Sequence, residues 1–414
     1  MMALRCRAAW VLPIDRAPIA DGAVLLGPDG RISAVGPDAV VPAPPGVEEA
    51  EFPSSALIPG LVNTHTHLEL TGLEDQITEP DFPSWIRRVI ALKAERSPAD
   101  FLAAAKQGIR DGWSQGVTTV ADTGDSGAAL RALHELGGGG IAYQEVFGPH
   151  PDQAPEQIAG LTNRLESLAP LAGSRIRLGV SPHAPYSVSG PLYAGVAQLA
   201  RERGYPIAVH IAESVAESDL LGSASGGFAE AWRGRGIPLP TLPGCTPLVW
   251  LEQHGVLGPT TLCIHVVQAN TKDLALLASR GAAIAHCPRS NARHGHGVAP
   301  LRSMLDLGIR VGIGTDSVAS VAPCDLLAEG RAASALARLQ PEEVLRLCTL
   351  EGARSLDLAN EIGSLTPGKW GDLVAFRLPA PVDGARLAGT VVTRRSDDVL
   401  ATFLAGRQVW RSPS

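Results

Sequence analysis

A chain of 414 residues is longer than one small domain needs and leaves room for a barrel of roughly 250–300 residues plus an annex. The net charge of −7 is spread without blocks, which argues against nucleic acid or an anionic membrane as partner, and no apolar run reaches the roughly 18 residues of a spanning helix. Six cysteines without close pairing read as buried thiols in a reducing compartment, and residues 1–13 lack the features of a secretory signal, so the expected location is cytoplasmic.

Up to about Glu51 the sequence offers short apolar runs broken by turn signals, and Asp29-Gly30 between two such runs marks a hairpin. The apolar run Ala56 to Val62 then reads as one buried strand that ends in Asn63-Thr64-His65-Thr66-His67. In a strand, the i, i+2 spacing turns both imidazoles to one face. Two neutral imidazoles converging there suit a divalent metal such as zinc. A histidine pair capping strand backbone in a turn is the alternative, and the tripeptide alone does not separate the two.

Later segments repeat the design, each an apolar β-branched run ending in a residue able to bind metal or move protons. Ile176 to Pro182 ends at His183, and Ile207 to Val209 ends at His210 with Glu213 three residues on. Thr261 to Ile264 ends at His265, and Ala282 to Ala285 ends at His286, followed by Cys287-Pro288-Arg289-Ser290-Asn291. Arg310 to Thr315 ends at Asp316. Between them, Asp100–Gln115, Leu192–Arg203 and Thr271–Arg280 are amphipathic and of helical length. Strands alternating with helices predict parallel βαβ units. Chemistry at the ends of many strands predicts an α/β fold of the (β/α)8 TIM type, because a doubly wound sheet gathers its ligands at one switch point.

Gly137 to Gly140 reads as the turn into a third strand, Ile141–Phe147. The segment from Ser214 to about Pro247, punctuated by glycine and proline, is expected to be an irregular flap over the site, with a helix around Phe228–Trp232. Gly363 to Trp410 again reads as short strands. Residues 1–55 and 363–414 are therefore expected to form one small β-sandwich domain beside a barrel of residues 56–362. His134, His150, His254, His294 and His296 fall in helix or loop contexts, where an ordinary structural role is expected, and His286 reads equally as a site neighbour or a satisfied strand-end residue.

Taken together, Pro-Gly-(x)2-Asn-Thr-His-Thr-His, Ser-Pro-His-Ala-Pro-Tyr-Ser, His-(x)2-Glu, His-Cys-Pro-Arg-Ser-Asn and Gly-Thr-Asp-Ser resemble the amidohydrolase superfamily over nearly the whole chain. Within it the pattern resembles the mononuclear deaminases of cyclic amidines. The binuclear branches need a bridging lysine or glutamate near the fourth strand, and none stands there. The resemblance implies one divalent metal, zinc with iron or manganese as alternatives, on His65, His67, His210 and Asp316. It also implies that Asp316 accepts a proton from the metal's water, that His265 orients the attacking oxygen, and that Glu213 carries protons to the ring and the leaving ammonia. His183 would hydrogen-bond a ring nitrogen of the substrate.

The expected partner is a purine nucleoside-like small molecule, with a second copy of the chain in a homodimer as a further expectation. His67-Leu68-Glu69-Leu70 and Asp81-Phe82-(x)2-Trp85 resemble enzymes that deaminate 6-amino-6-deoxyfutalosine on the futalosine route to menaquinone. Deaminases of S-adenosylhomocysteine and methylthioadenosine carry a ribose-gripping glutamate where this chain has Pro83. Either another acid such as Glu69 or Glu145 takes that role, or the substrate is not an ordinary adenosine derivative; Trp85 is expected beside the substrate. Arg289 is a candidate for a substrate carboxylate, with Arg87, Arg88 and Arg293 as others, since arginine binds carboxylate bidentately. A triazine chlorohydrolase or aminohydrolase would use the same metal set, and a barrel without activity would have lost it.

Overall fold

The structure, a computed structural model, describes residues 2–79, 81–240, 245–379 and 382–413. Two sheets organise them. Strands β1 (Leu4–Val11), β2 (Ile19–Leu26), β3 (Ile32–Pro37) and β4 (Glu48–Pro59) come from the N-terminal part. The eight strands that follow are β5 (Leu61–Thr66), β6 (Val117–Gly124), β7 (Gly140–Val146), β8 (Ile176–Pro182), β9 (Ile207–Ile211), β10 (Thr261–His265), β11 (Ala283–His286) and β12 (Arg310–Ile313). The C-terminal part adds β13 (Leu373–Arg377), β14 (Val399–Leu404) and β15 (Arg407–Arg411).

Strands β5 to β12 lie side by side in sequence order as an eight-stranded sheet. Past β12 the chain bridges back to β5 through a parallel pairing of Thr66 with Asp316, and the amides of Thr315 and Asp316 donate to the His65 carbonyl at 3.0 and 3.1 Å. The ring so formed, with helices between its strands, is the expected (β/α)8 barrel. Strands β6, β7, β9 and β10 are buried at every residue. That is why they read as continuous apolar runs: a parallel strand is covered on both faces. Helices Pro98–Ser114, Gly190–Arg203 and Thr271–Arg280 stand where the amphipathic segments predict them. Among the described residues, no helix is long and apolar enough to cross a membrane.

The other sheet has the order β15-β14-β13-β4-β1-β2-β3, so both chain ends build it. Its β2–β3 pair is antiparallel around Asp29-Gly30, and Gly30 takes a φ of 79°, which the tight turn requires. Its core gathers Leu26, Ile32, Leu57, Leu373 and Phe403. Arg5, buried in β1, reaches Asp38 and Glu49. A helix at Gly384–Val392, absent from the strand-only reading of this region, lies between β13 and β14. By its contacts the chain forms two compact units, one of Met1–Thr64, Ile109–Val120 and Asp325–Ser414, the other of His65–Gly108 and Ala121–Cys324.

Two local expectations need correction. The run Ala56 to Val62 is not one strand: it ends β4, breaks at Gly60 and starts β5. A Cβ on Gly60 would stand 2.1 Å from Thr118 Oγ1, so only glycine allows the chain to pass there. The stretch after Ser214 is not an irregular flap. It folds as helices Val215–Ser223 and Gly226–Gly234, the second covering the Phe228–Trp232 helix that was expected. The Ser214 side chain caps the first helix by accepting from the Glu217 amide, and Leu220, Ala229, Trp232 and Ile237 form a core of their own. Residues 241–244 of that stretch lie outside the described residues.

Candidate active site

The barrel's strand ends deliver the expected side chains to one place. His65 and His67 come from the end of β5, His210 from β9, His265 from β10 and Asp316 from the turn after β12. Ala212, His265 and Asp316 take left-handed backbone conformations, with φ of 50°, 73° and 57°. Each such residue costs on the order of 1–3 kcal/mol, and that strain collects where side chains must be aimed. Gly314 lets β12 approach β5, since a Cβ there would stand 2.8 Å from His65 Cβ.

His65, His67 and Asp316 offer ligand atoms within 4.8 Å of one another, as do His65, His210 and His265. Nε2 of His65 and Nε2 of His67 each lie 3.5 Å from Asp316 Oδ1. That spacing is long for a hydrogen bond. It fits the edge of a tetrahedral zinc site, where bonds of about 2.1 Å put ligand atoms about 3.4 Å apart. Nδ1 of His67 is 2.8 Å from the Thr123 carbonyl, which in the donating tautomer leaves Nε2 as the free lone pair. Ser290 Oγ donates to Asp316 Oδ2 at 2.6 Å. Burial drives the His65 imidazole down to about 4 and holds His67 and His210 below the ordinary histidine value, so all are neutral at pH 7. Burial would raise Asp316, yet His65, His67 and His265 hold it well below the usual carboxylate range. Neutral imidazoles and one carboxylate make a donor set for a divalent metal.

Glu213 is 4 % exposed and sits beside this cluster. Its Oε1 is 3.5 Å from His265 Nε2 and 3.2 Å from His296 Nε2. Burial would raise this carboxyl, but His265 and the His296 contact outweigh it and hold it at about 2. It is therefore an anion at rest rather than the acid with a raised pKa that its expected role suggests. Its backbone is fixed by Glu217, whose carboxyl oxygens accept from the Ala212 and Glu213 amides at 2.7 and 3.0 Å. His265 Nδ1 lies 2.8 Å from Asn291 Oδ1, which turns Nε2 toward Glu213.

The residues expected to touch substrate are spread more widely. His183 lies beside His210 with ring centroids 4.9 Å apart, and its Nδ1 pairs with Ser187 Oγ at 2.7 Å. Trp85 is half-buried, stacks on Phe82 at 5.7 Å and donates to the Ala319 carbonyl. Glu145 is buried with Oε1 4.0 Å from His210 Nδ1, and burial raises its carboxyl well above the ordinary value. Glu69 is 1 % exposed and engaged with Lys93 and the Ser126 hydroxyl. Arg289 donates to the Pro323 carbonyl at 3.2 Å. His286 is fully buried, and neither ring nitrogen has a hydrogen-bond partner among the described residues.

Sequence reasoning missed His296, Asn291 and Lys93. For His296 the available signal was the Gly295-His296-Gly297 triplet, a histidine between two residues free to take positive φ. Asn291 stands in the His-Cys-Pro-Arg-Ser-Asn motif, but its partner is known only from the fold. For Lys93 the sequence carries no local signal.

A parallel barrel with three imidazoles and a carboxylate at its strand ends, and a second carboxylate beside them, defines a metal-dependent hydrolase. The chain belongs to the amidohydrolase family, whose pattern it matches over residues 56–409. It is a hydrolase acting on C–N bonds. It is 29% identical over 382 residues to the 5-methylthioadenosine/S-adenosylhomocysteine deaminase of Moorella thermoacetica, covering 90% of this chain and 85% of the relative. It superposes on an adenosine deaminase from Xanthomonas campestris with bound zinc at a TM-score of 0.83 and 25% identity, over 98% of this chain and 92% of the other. On the Helicobacter pylori aminofutalosine deaminase the TM-score is 0.85 at 21% identity, over 99% and 100% of the two chains, a likeness of fold.

Proposed function

We propose that this protein is a metal-dependent hydrolytic deaminase of an adenine-bearing nucleoside. The observation that carries the reading is Glu213, a buried carboxylate 3.5 Å from His265 and next to the His65–His67–Asp316 cluster. His65, His67, His210 and Asp316 would hold one divalent ion. When bound, such an ion supplies a water ionised near neutral pH, its pKa lowered from about 15.7 towards 7. With His265 orienting the attacking oxygen, one proton of the water would pass by way of Asp316 to Glu213 and from it to the ring nitrogen next to the carbon that bears the amino group. As the C–O bond forms at that carbon, the second, hydroxyl proton would follow the same route to the amino group, which leaves as ammonia when the C–N bond breaks, so that both carboxylates return to their starting state. His183 faces the heterocycle from the end of β8.

Within this class the substrate we propose is 6-amino-6-deoxyfutalosine. Support comes from Glu69 after the histidine pair, from Asp81-Phe82-(x)2-Trp85, and from Pro83 in place of the ribose-gripping glutamate. The stacked Phe82 and Trp85 rings, with Tyr186 edge-on to Phe82 at 6.5 Å, offer a flat apolar surface to an aryl tail. Arg289 is the proposed partner of its carboxylate. A charge-assisted contact is worth about 1.5–3 kcal/mol, so kcat/KM should favour this substrate by at least roughly tenfold over adenosine, methylthioadenosine and S-adenosylhomocysteine. Steady-state kinetics on the four compounds tests it. Equal or faster turnover of the thioadenosine compounds would reject the futalosine substrate and leave the deaminase chemistry standing.

A further inference from the structure

We propose that His296 is a positioning residue for Glu213, holding that carboxylate between two imidazoles so that it stays correctly aimed until it takes a proton. The inference rests on the deaminase reading and adds a residue to its proton-transfer machinery.

His296 reaches Glu213 from the loop after the short helix Pro288–Arg293. The flanking Gly295 and Gly297 take φ of 66° and 109°, conformations that a side chain would strain, and this lets the histidine turn inward. The result is an imidazole only 5 % exposed, on a loop whose neighbouring residues face solvent. Its backbone is tied at both ends. The His296 amide donates to the Asn291 carbonyl at 2.9 Å, and its carbonyl accepts from the Gln268 side chain. Its ring plane is set by the Phe82 ring, edge-to-face at 4.5 Å, and by His294 stacked at 5.4 Å.

Asn291 couples the two imidazoles that flank the carboxylate. Its side-chain oxygen pairs with His265 Nδ1 at 2.8 Å, while its backbone carbonyl holds His296. Both rings then direct Nε2 at the same atom, Glu213 Oε1, from 3.5 and 3.2 Å. The His296 approach lies off the axis of an aligned hydrogen bond, so in this state it acts through proximity, and such contacts tighten when substrate arrives. With Oε1 flanked twice, Oε2 is left for proton exchange with the substrate. The other titratable groups acting on or facing Glu213 are His265, Asp316, Glu217, His183, Tyr186 and His294. Of these, His294, the C-cap of helix Pro288–Arg293, is nearest to His296 along the chain.

The test compares His296→Phe and His296→Gln with the wild type. Phenylalanine keeps the ring and its packing on Phe82 but removes the nitrogen. It should lower kcat at least about tenfold with KM within about threefold and an unchanged melting temperature, and glutamine should restore part of the loss. The acid limb of the kcat/KM profile should move to higher pH in His296→Phe, because the carboxylate loses a group that favours its ionised form. On a Glu213→Gln background the same change should cost less than about twofold, since residues acting through one another are not additive. Wild-type kcat and pH profile in His296→Phe, or the full loss repeated on Glu213→Gln, would overturn the proposal. A readout free of turnover separates it from the deaminase reading: the Glu213 carboxyl band in infrared difference spectra against Glu213→Gln, titrated in wild type and His296→Phe. A higher titration point in the variant supports the proposal even if no adenine nucleoside is turned over, and coincident curves reject it.

Discussion

Ser290 donates its hydroxyl to Asp316 Oδ2 at 2.6 Å, so the carboxylate presents Oδ1 to the two β5 histidines. A ligand held by a partner outside the coordination sphere loses affinity when that partner goes, typically 10–100-fold. Ser290→Ala should therefore weaken metal binding by roughly that factor in a chelator competition while the fold melts normally. The wild type should hold one ion per chain by elemental analysis. Two ions per chain at full occupancy would contradict the mononuclear assignment.

Glu213 lies 3.5 Å from His265 and 3.2 Å from His296 and is not one of the four proposed ligands. Glu213→Gln should keep the metal and lose turnover by about 100-fold or more, the scale of a missing general acid–base. Near-normal turnover in this variant would move the proton transfer to His265 or Asp316.

Lys93 Nζ sits 2.5 Å from Glu69 Oε1 and 2.6 Å from Asp125 Oδ1, with Glu69 almost wholly buried. Removing one member of such a cluster leaves a charge without compensation in a poorly hydrated place. Lys93→Met should cost about 3–5 kcal/mol in urea unfolding, whereas replacing the cluster together with apolar residues should cost much less. A loss below about 1 kcal/mol for Lys93→Met would show that water reaches Glu69 and screens it.

The legible part of this protein was the part written along single strands. A parallel strand buried on both faces appears as an unbroken apolar run, and the polar residues at or just past its end mark candidates for the site, so His65, His210, His265 and Asp316 could be picked out one by one. The Ala56–Val62 run misled because two consecutive strands were both apolar, and the break at Gly60 depends on Thr118, far along the chain. Residues that reach the site from loops left weaker marks. His296 enters from a glycine-flanked turn, and its partner Glu213 is more than eighty residues earlier. The Lys93–Glu69–Asp125 cluster joins a helix to two strand-end segments, and no periodicity encodes that meeting. The helices after Ser214 were masked by their glycines, which the structure uses at a helix junction, where Gly226 takes a φ of 77°.

The proposed reaction is hydrolysis of an exocyclic amine on a purine at a single metal site. Its most direct test is ammonia release, measured together with loss of the 6-amino absorbance, when metal-loaded protein meets adenosine, methylthioadenosine, S-adenosylhomocysteine and 6-amino-6-deoxyfutalosine. One ammonia per molecule consumed is expected for at least one of them, lost on removal of the metal and restored on its return. No ammonia from any of the four, with chloride or an alkylamine released from a triazine by the same preparation, would contradict it.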